Sequence, residues 1–330
     1  MRVFVTGGTG LVGSHTIEQL AREGHEVRAM VRGATGRSFV EDLGAAGVLG
    51  SVERPESWDA AEGCDAIVHA AALVVQPVGW ERYREVNVHG TRLAVEAAAR
   101  HGARLVHISS VAVYGRRPRG GPGLPVAEEA PFQPIATPDY YARSKRLAEA
   151  ALWQRAEELG VSAAALRPCV IYGERDRIFV ARILHVLRLG IVPLIGKGDN
   201  PLAVVYAGNV AEAVRCALAR RDVRGAFNTA NDGGLTPREF FETIGEVTGT
   251  RLRFVPLPVG AAKVLATLAH LPRRLLRPGR YAPDAASGVR FMTQPNPYTS
   301  AKAERQLGWR PSTLPRDALR RTVEWFVTRR

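Results

Sequence analysis

Lysine is nearly missing from this 330-residue chain. Lys145, Lys197, Lys263 and Lys302 are the only four, so a formal charge of +13 rests almost wholly on arginine. A skew of this kind reads as base composition. No dense basic run interleaved with aromatics accompanies it, which argues against nucleic-acid binding. Cysteine is scarce too. Cys64, Cys169 and Cys216 lie far apart and form no CxxC pair, so a reducing compartment is expected, without a disulfide framework or a zinc site. No apolar run reaches the ~18 residues of a membrane-spanning helix. Residues 2–5 read as a strand, not as part of a signal peptide. The expectation is a cytoplasmic protein without a metal. Its 46% hydrophobic and 23% charged residues are those of a globular chain.

What the chain does have is alternation. Residues 2–5, 25–31, 66–69, 104–108 and 161–167 form short apolar runs, and 14–23, 80–100, 140–159 and 210–220 have helical character. Parallel strands need crossover helices. The order therefore predicts an α/β protein: a Rossmann-type doubly wound parallel sheet with a smaller, mostly C-terminal substrate-binding region. The expected division is 1–170 plus about 203–230 for nucleotide binding, and about 171–202 with 231–330 for substrate. Residues 115–139 include Gly120-Gly121-Pro122-Gly123 and read as a long functional loop.

The first strand runs into Thr6-Gly7-Gly8-Thr9-Gly10-Leu11-Val12-Gly13, which holds GxGxxG (Gly8, Gly10, Gly13) and GxxGxxG (Gly7, Gly10, Gly13). Glycines allow a tight strand-to-helix turn and let backbone N–H groups approach a pyrophosphate at a helix N-terminus. A preceding strand and a following helix are the context the dinucleotide motif requires. The second strand ends at Met30-Val31-Arg32-Gly33, without an Asp or Glu for a ribose 2′-hydroxyl. Arg32, with Arg28 and Arg37 near it in sequence, suits a 2′-phosphate. NADP(H) is expected over NAD(H).

Tyr141 and Lys145 lie four apart at the start of the 140–159 helix and so share a face. A free phenol, with a pKa of ~10, is a poor acid–base group at neutral pH, and an adjacent ammonium lowers that value. Tyr140 lacks this relation and reads as a wall residue. Ser109 and Ser110 follow the 104–108 strand, where ligands of open α/β sheets bind. Ser110 is the first choice as donor to a substrate carbonyl, and Ser109 competes with it. His69 and His107 are expected in the core.

These stretches resemble the extended short-chain dehydrogenase/reductases, as do residues 64–72, Asn87-Val88-His89-Gly90-Thr91, Arg167-Pro168, Tyr172-Gly173, Lys302-Ala303 and Gly308-Trp309 with Pro311. The resemblance runs in order over nearly the whole chain. That superfamily holds NDP-sugar epimerases and dehydratases, dihydroflavonol-4-reductase-like enzymes and 3β-hydroxysteroid dehydrogenases. The resemblance implies that Gly7, Gly10, Leu11 and Val12 contact the pyrophosphate. It implies that Ala70, Ala71 and Ala72 border the riboses and that Pro168 and Val170 lie beside the nicotinamide. Ser110, Tyr141 and Lys145 become the catalytic trio, with Lys145 also bonding the nicotinamide ribose. Gly50-Ser51-Val52 stands where the family usually has Gly-Asp-hydrophobic, so Ser51 replaces the adenine-binding Asp beside Val52.

Within that family, NDP-sugar enzymes typically carry an Asn after the Arg strand, and an Arg and an aromatic before a Val-Asp pair. Residues 167–173 have no Asn, and 202–210 have neither the Arg nor the Asp. The resemblance therefore implies an NAD(P)-dependent oxidoreductase moving hydride between NADPH and an apolar or lipid-derived ketone, aldehyde or alcohol. The alternative is an NDP-sugar epimerase or dehydratase with tightly bound NAD. A non-catalytic binder on this fold usually loses the Tyr or the Lys, and both are present. Many relatives pair as homodimers through the helices at 80–100 and 140–159. Residues 259–280 combine Val264, Leu265, Leu268, Leu271 and Leu275 with Arg273, Arg274, Arg277 and Arg280. A lid helix packed over the substrate cleft is the plain expectation. An interfacial helix touching anionic lipid is the sharper one.

Overall fold

Strands that are apolar along their whole length need cover on both faces, which crossover helices provide. The computed structural model describes the chain outside residues 116, 117, 119, 121–123, 138, 188, 189, 277–284 and 330, and outside the side chains of 186, 269–276 and 285–287. The chain begins β1 (Arg2–Thr6), α1 (Leu11–Arg22), β2 (Glu26–Val31), α2 (Ala34–Asp42), β3 (Ala45–Leu49) and β4 (Ala66–His69). It continues through α3 (Trp80–Tyr83), α4 (Gly90–His101), β5 (Arg104–Ile108), α5 (Tyr140–Leu159), β6 (Ala163–Pro168) and β7 (Val170–Tyr172). Then follow α6 (Val180–Val186), β8 (Ile191–Ile195), β9 (Val204–Tyr206), α7 (Ala207–Ala219) and β10 (Gly225–Thr229). The last elements are α8 (Pro237–Thr248), β11 (Arg253–Leu257), α9 (Val259–Leu276), α10 (Ala285–Thr293) and α11 (Pro315–Thr328).

Seven strands form one sheet in the order β10-β6-β5-β4-β1-β2-β3. Every neighbouring pair in it is parallel. The chain winds outward from β1 to β3, returns to β4, and then winds the other way. The reversal lies between β1 and β4, and open sheets bind ligands beyond the C-terminal strand ends at such a point. Alternation along β1 loads both faces. Val3 and Val5 pack with Ile17 of α1 and Val210 and Val214 of α7, whereas Phe4 packs with Leu93 of α4 and Leu152 of α5.

The α/β Rossmann architecture expected from the sequence is what forms, with two local differences. Residues 80–100 are not one α-helix. A π-turn over Arg84–His89 separates α3 from α4 and carries the buried Asn87. Such a turn inserts an extra residue per turn and commonly accompanies a functional position. The second difference concerns α9. Of the residues expected to pack a lid, Val264, Leu265 and Leu268 are exposed. Leu271, Leu275, Arg273 and Arg274 lie outside the described side chains, and Arg277 and Arg280 outside the described residues.

Beyond the main sheet, β8 pairs with β11 and β7 with β9. A separate apolar cluster there joins Tyr172, Val180, Leu184, Phe240, Ile244 and Leu319. Ala303, Leu307 and Trp309 instead return to the core of the main sheet. The C-terminal segment is thus interleaved with the first half.

Candidate active site

The glycine-rich turn is tight because two of its positions exclude a side chain. Gly7 has φ +74°, and a Cβ there would lie 2.6 Å from Ala71 N; a Cβ on Gly13 would lie 2.2 Å from Gly7 O. The turn closes with Gly10 N–H donating to Gly7 O at 2.9 Å. The first bond within α1 is Ser14 N–H to Gly10 O, so the N–H groups of Leu11, Val12 and Gly13 precede it. No acidic residue occupies the first turn of α1. Free N–H groups at a helix N-terminus suit an anion. The spacing used is Gly7, Gly10, Gly13.

Across the switch point, Thr6 Oγ1 shares a 2.8 Å hydrogen bond with His69 Nδ1 and accepts from Ala71 N at 3.4 Å. Ala70, Ala71 and Ala72 run half-buried from the end of β4. His69 stacks on His107, with ring centroids 5.4 Å apart, and both belong to the core as expected. Burial, reinforced by the Lys145 charge, pulls His69 down to about 3 and His107 well below its usual value. Burial likewise brings His15 to about 4. Each folded-state value lies below the unfolded one, so the unfolded chain binds more protons. Stability is then complete above about pH 6.5 and lost as pH falls, through about 4 for His15 and about 3 for His69. Three such protons correspond to a slope of about 4 kcal/mol per pH unit near pH 5. The buried Glu128 and Asp232, whose values are raised chiefly by burial, offset part of it. Urea titrations at several pH values measure the slope, and a flat profile between pH 6.5 and 4.5 contradicts it.

At the expected adenosine end, Arg32 is exposed directly after β2 and has no hydrogen bond or ion pair among the described residues. Arg28 and Arg37 do not share that freedom. Arg28 donates to Glu62 O at 3.0 Å, and Arg37 Nε donates to Gly47 O at 2.9 Å, bracing β3. The Ser51 hydroxyl donates to Glu53, which also pairs with Arg82. Val52 is buried in the core beside Met30 and Trp58.

Asp139 caps α5 by accepting from Ala142 N at 3.1 Å, which sets Tyr141 in its first turn. Ser110, whose Oγ accepts from Ala112 N at 3.1 Å, lies close enough to Tyr141 to act on its phenol. Lys145, one turn on, is buried and donates to Ile108 O at 2.6 Å. Burial raises the Tyr141 phenol, and the Ser110 hydroxyl partly opposes this. The lowering expected from the Lys145 ammonium is not what acts on Tyr141 here, because that ammonium is turned to the end of β5. Burial brings Lys145 itself to about 8, with Glu149 pushing upward. Tyr140 packs on Trp80 and Tyr83, with centroids 6.0 and 6.2 Å apart. The two serines separate cleanly. Ser110 turns to Tyr141, and Ser109 donates to Glu149 Oε2 at 2.5 Å. Pro168 is buried at the end of β6, and Val170 opens β7 at 38% exposure.

Three polar groups at this site had no role in the sequence reading. Glu149 is 3% exposed and pairs with the 4% exposed Arg167 of β6. Arg167 also donates to Tyr114 Oη at 2.8 Å and Glu128 O at 3.1 Å. Asn87 accepts from Leu73 N at 2.7 Å and donates to Ser144 Oγ at 2.8 Å, fixing the stretch after Ala72 to α5. The signal for Glu149 was available: it is one further turn beyond Lys145 on the same face. Breaking a buried pair by removing one partner costs about 3–5 kcal/mol. Glu149→Ala is expected to lower the unfolding free energy by that amount, read from urea denaturation. A loss below about 1 kcal/mol, the worth of an exposed pair, contradicts it.

Residues 3–230 match the NAD dependent epimerase/dehydratase family. A Stigmatella aurantiaca protein, 4-hydroxy-2-methyl-3-oxo-4-farnesyl-3,4-dihydroquinoline-1-oxide ketoreductase, is 31% identical over 315 residues, 94% of this chain and 92% of the relative. Thermotoga maritima UDP-glucose 4-epimerase with UDP-glucose aligns at a TM-score of 0.76 and 22% identity, covering 100% of this chain and 99% of that one. At that identity the likeness is one of fold. Thermus thermophilus UDP-glucose 4-epimerase, in complex with NAD, aligns at 0.72 and 27% identity over 99% of each chain. Reductases and epimerases both occur among these relatives. With two thirds of its length matched, and with the glycine turn and the Ser–Tyr–Lys cluster at one end of the sheet, the chain belongs to the NAD-dependent epimerase/dehydratase family.

Proposed function

We propose that this protein is an NADP(H)-dependent reductase of apolar ketones or aldehydes. The observation that carries the reading is the pairing of Ser110 with Tyr141 beside a buried Lys145. The residues fit a dinucleotide: Gly7 and Gly13 leave no room for a side chain where the turn closes, and the first turn of α1 offers unspent N–H groups. Leu11 and Val12 would hold the pyrophosphate, Ala70, Ala71 and Ala72 would border the riboses, Ser51 would meet the adenine with the buried Val52 behind it, and Pro168 and Val170 would lie on the nicotinamide side. When bound, the nicotinamide supplies the hydride. Ser110 donates to the carbonyl oxygen and Tyr141 gives that oxygen its phenol proton. Lys145, on releasing Ile108 O, stabilises the phenolate left behind. Hydride on carbon and proton on oxygen make the alcohol.

Arg32 supports NADP(H), since a free guanidinium suits a 2′-phosphate and α2 begins at Ala34 without an acidic residue in its first turn. A charged hydrogen bond is worth about 1.5–3 kcal/mol, or about 10–150-fold. Arg32→Ala is expected to lower kcat/KM for NADPH by that factor and leave the value for NADH within about twofold. Equal losses with both cofactors contradict the assignment.

The substrate side supports an apolar compound. Leu73, Val74, Val75, Pro77 and Val78 follow the ribose border, and Val75 is held at φ 43°, a strained setting for a β-branched residue. The Stigmatella relative is by name a ketoreductase of a farnesylated quinoline oxide. The test is NADPH oxidation with a panel of alkyl and aryl ketones beside UDP-glucose. Turnover of the ketones alone supports the reductase. Interconversion of the UDP-sugar with co-purified NAD supports the epimerase alternative.

A further inference from the structure

We propose that the outer face of α9 seats the protein on an anionic lipid surface. The helix is amphipathic in the reverse sense to a packed lid. Ala261, Val264, Leu265 and Leu268 fall at i, i+3, i+4 and i+7, one face of a helix. All four are exposed, Val264, Leu265 and Leu268 by 59%, 55% and 58%. The side that meets the body is made of small residues. Ala262 is 3% exposed, and Ala266 and Val259 are half-buried. A cover for a cleft turns its large apolar side chains inward, whereas Val264, Leu265 and Leu268 of α9 are turned to the outside. An exposed apolar stripe of this kind marks an interaction surface.

Charge decides the occupant. Residues 247–283 contain seven arginines and lysines and no aspartate or glutamate, the flanking acids being Glu246 and Asp284. Lys263 on α9, Arg251 before β11 and Arg253 at its first position are all exposed. A second copy of this face would bring like charges together, which disfavours self-association. Lys263 within the exposed stretch of α9, in a segment of sequence with basic residues and no acidic ones, matches an anionic headgroup layer over hydrocarbon. Among the described residues no helix is long and apolar enough to cross a membrane, so α9 lies in the plane of the interface. The same contact would bring the substrate region to compounds dissolved in lipid, but it does not depend on the reductase reading.

The experiment is co-sedimentation of the full chain with phosphatidylglycerol/phosphatidylcholine vesicles and with phosphatidylcholine vesicles alone. Lipid affinity that needs both buried apolar area and anionic headgroups predicts at least about tenfold more binding to the anionic vesicles, abolished by high salt. The double variant Leu265→Asp/Leu268→Asp is expected to lose that binding at an unchanged melting temperature. The triple variant Arg251→Glu/Arg253→Glu/Lys263→Glu loses it as well. Absence of wild-type binding, or equal binding by the variants, overturns the proposal. So does a wild-type dimer in light scattering that the Leu265→Asp/Leu268→Asp variant turns into monomer, which makes the face a self-association surface. None of these readouts involves turnover, so a failed reductase assay leaves them unaffected.

Discussion

Tyr141→Phe is expected to slow carbonyl reduction by about 10²–10⁴-fold, the usual worth of a positioned proton donor. Affinity for NADPH stays within about twofold, because the proposal gives the phenol a role in proton transfer and not in ground-state binding. The ring keeps its place in the first turn of α5, capped by Asp139. Loss of the hydroxyl that faces Ser110 adds to the effect on rate without opening the fold. Steady-state kinetics with the best ketone substrate provide the measurement. Turnover within about threefold of wild type would remove Tyr141 from the proposed role, since general acid catalysis contributes far more than that.

Lys145 yields the second large effect. Removing one preorganised charge donor from a site typically costs about 10²–10³-fold in kcat, and Lys145→Met is expected to fall in that range. The wild-type pH profile carries the same information. Burial holds the ammonium at about 8, so the charged form is present below that pH and lost above it. Carbonyl reduction is expected to decline as pH rises through about 8. Glu149 pushes the Lys145 value upward, so Glu149→Gln moves this limb to lower pH. A limb that stays in place in Glu149→Gln contradicts the coupling, whatever the variant does to stability.

The elements that were legible in the sequence are those whose local signals agree. Residues 66–69 and 104–108 are short apolar runs, and both ends match β4 and β5. α5 stops at Leu159 because Gly160 takes φ 67° beyond it, a conformation glycine adopts without penalty. β3 and β10 were missed. Their Ala45–Leu49 and Gly225–Thr229 stretches are rich in alanine and glycine, and pairing across the sheet, Ala29 with Gly47 and Leu166 with Phe227, makes them strands. Propensity yields to tertiary context there.

The candidate site divides in the same way. Tyr141, Lys145 and the glycine turn are legible because their spacing is local. Choosing Ser110 over Ser109 was not a local matter, since Glu149, 40 residues away, takes the Ser109 hydroxyl. Arg28, Arg32 and Arg37 look interchangeable in sequence until Glu62 O and Gly47 O engage two of them. The π-turn that buries Asn87 depends on Leu73 and Ser144, 14 and 57 residues away.

In the proposed reaction, hydride from NADPH ends on the substrate carbon. NADPH deuterated at its transferring position, incubated with the protein and an apolar ketone, tests this most directly. One deuterium is expected on the carbinol carbon of the alcohol for each NADPH oxidised. Label that stays in a tightly held cofactor, with no alcohol formed and a nucleotide-sugar epimerised instead, would contradict it.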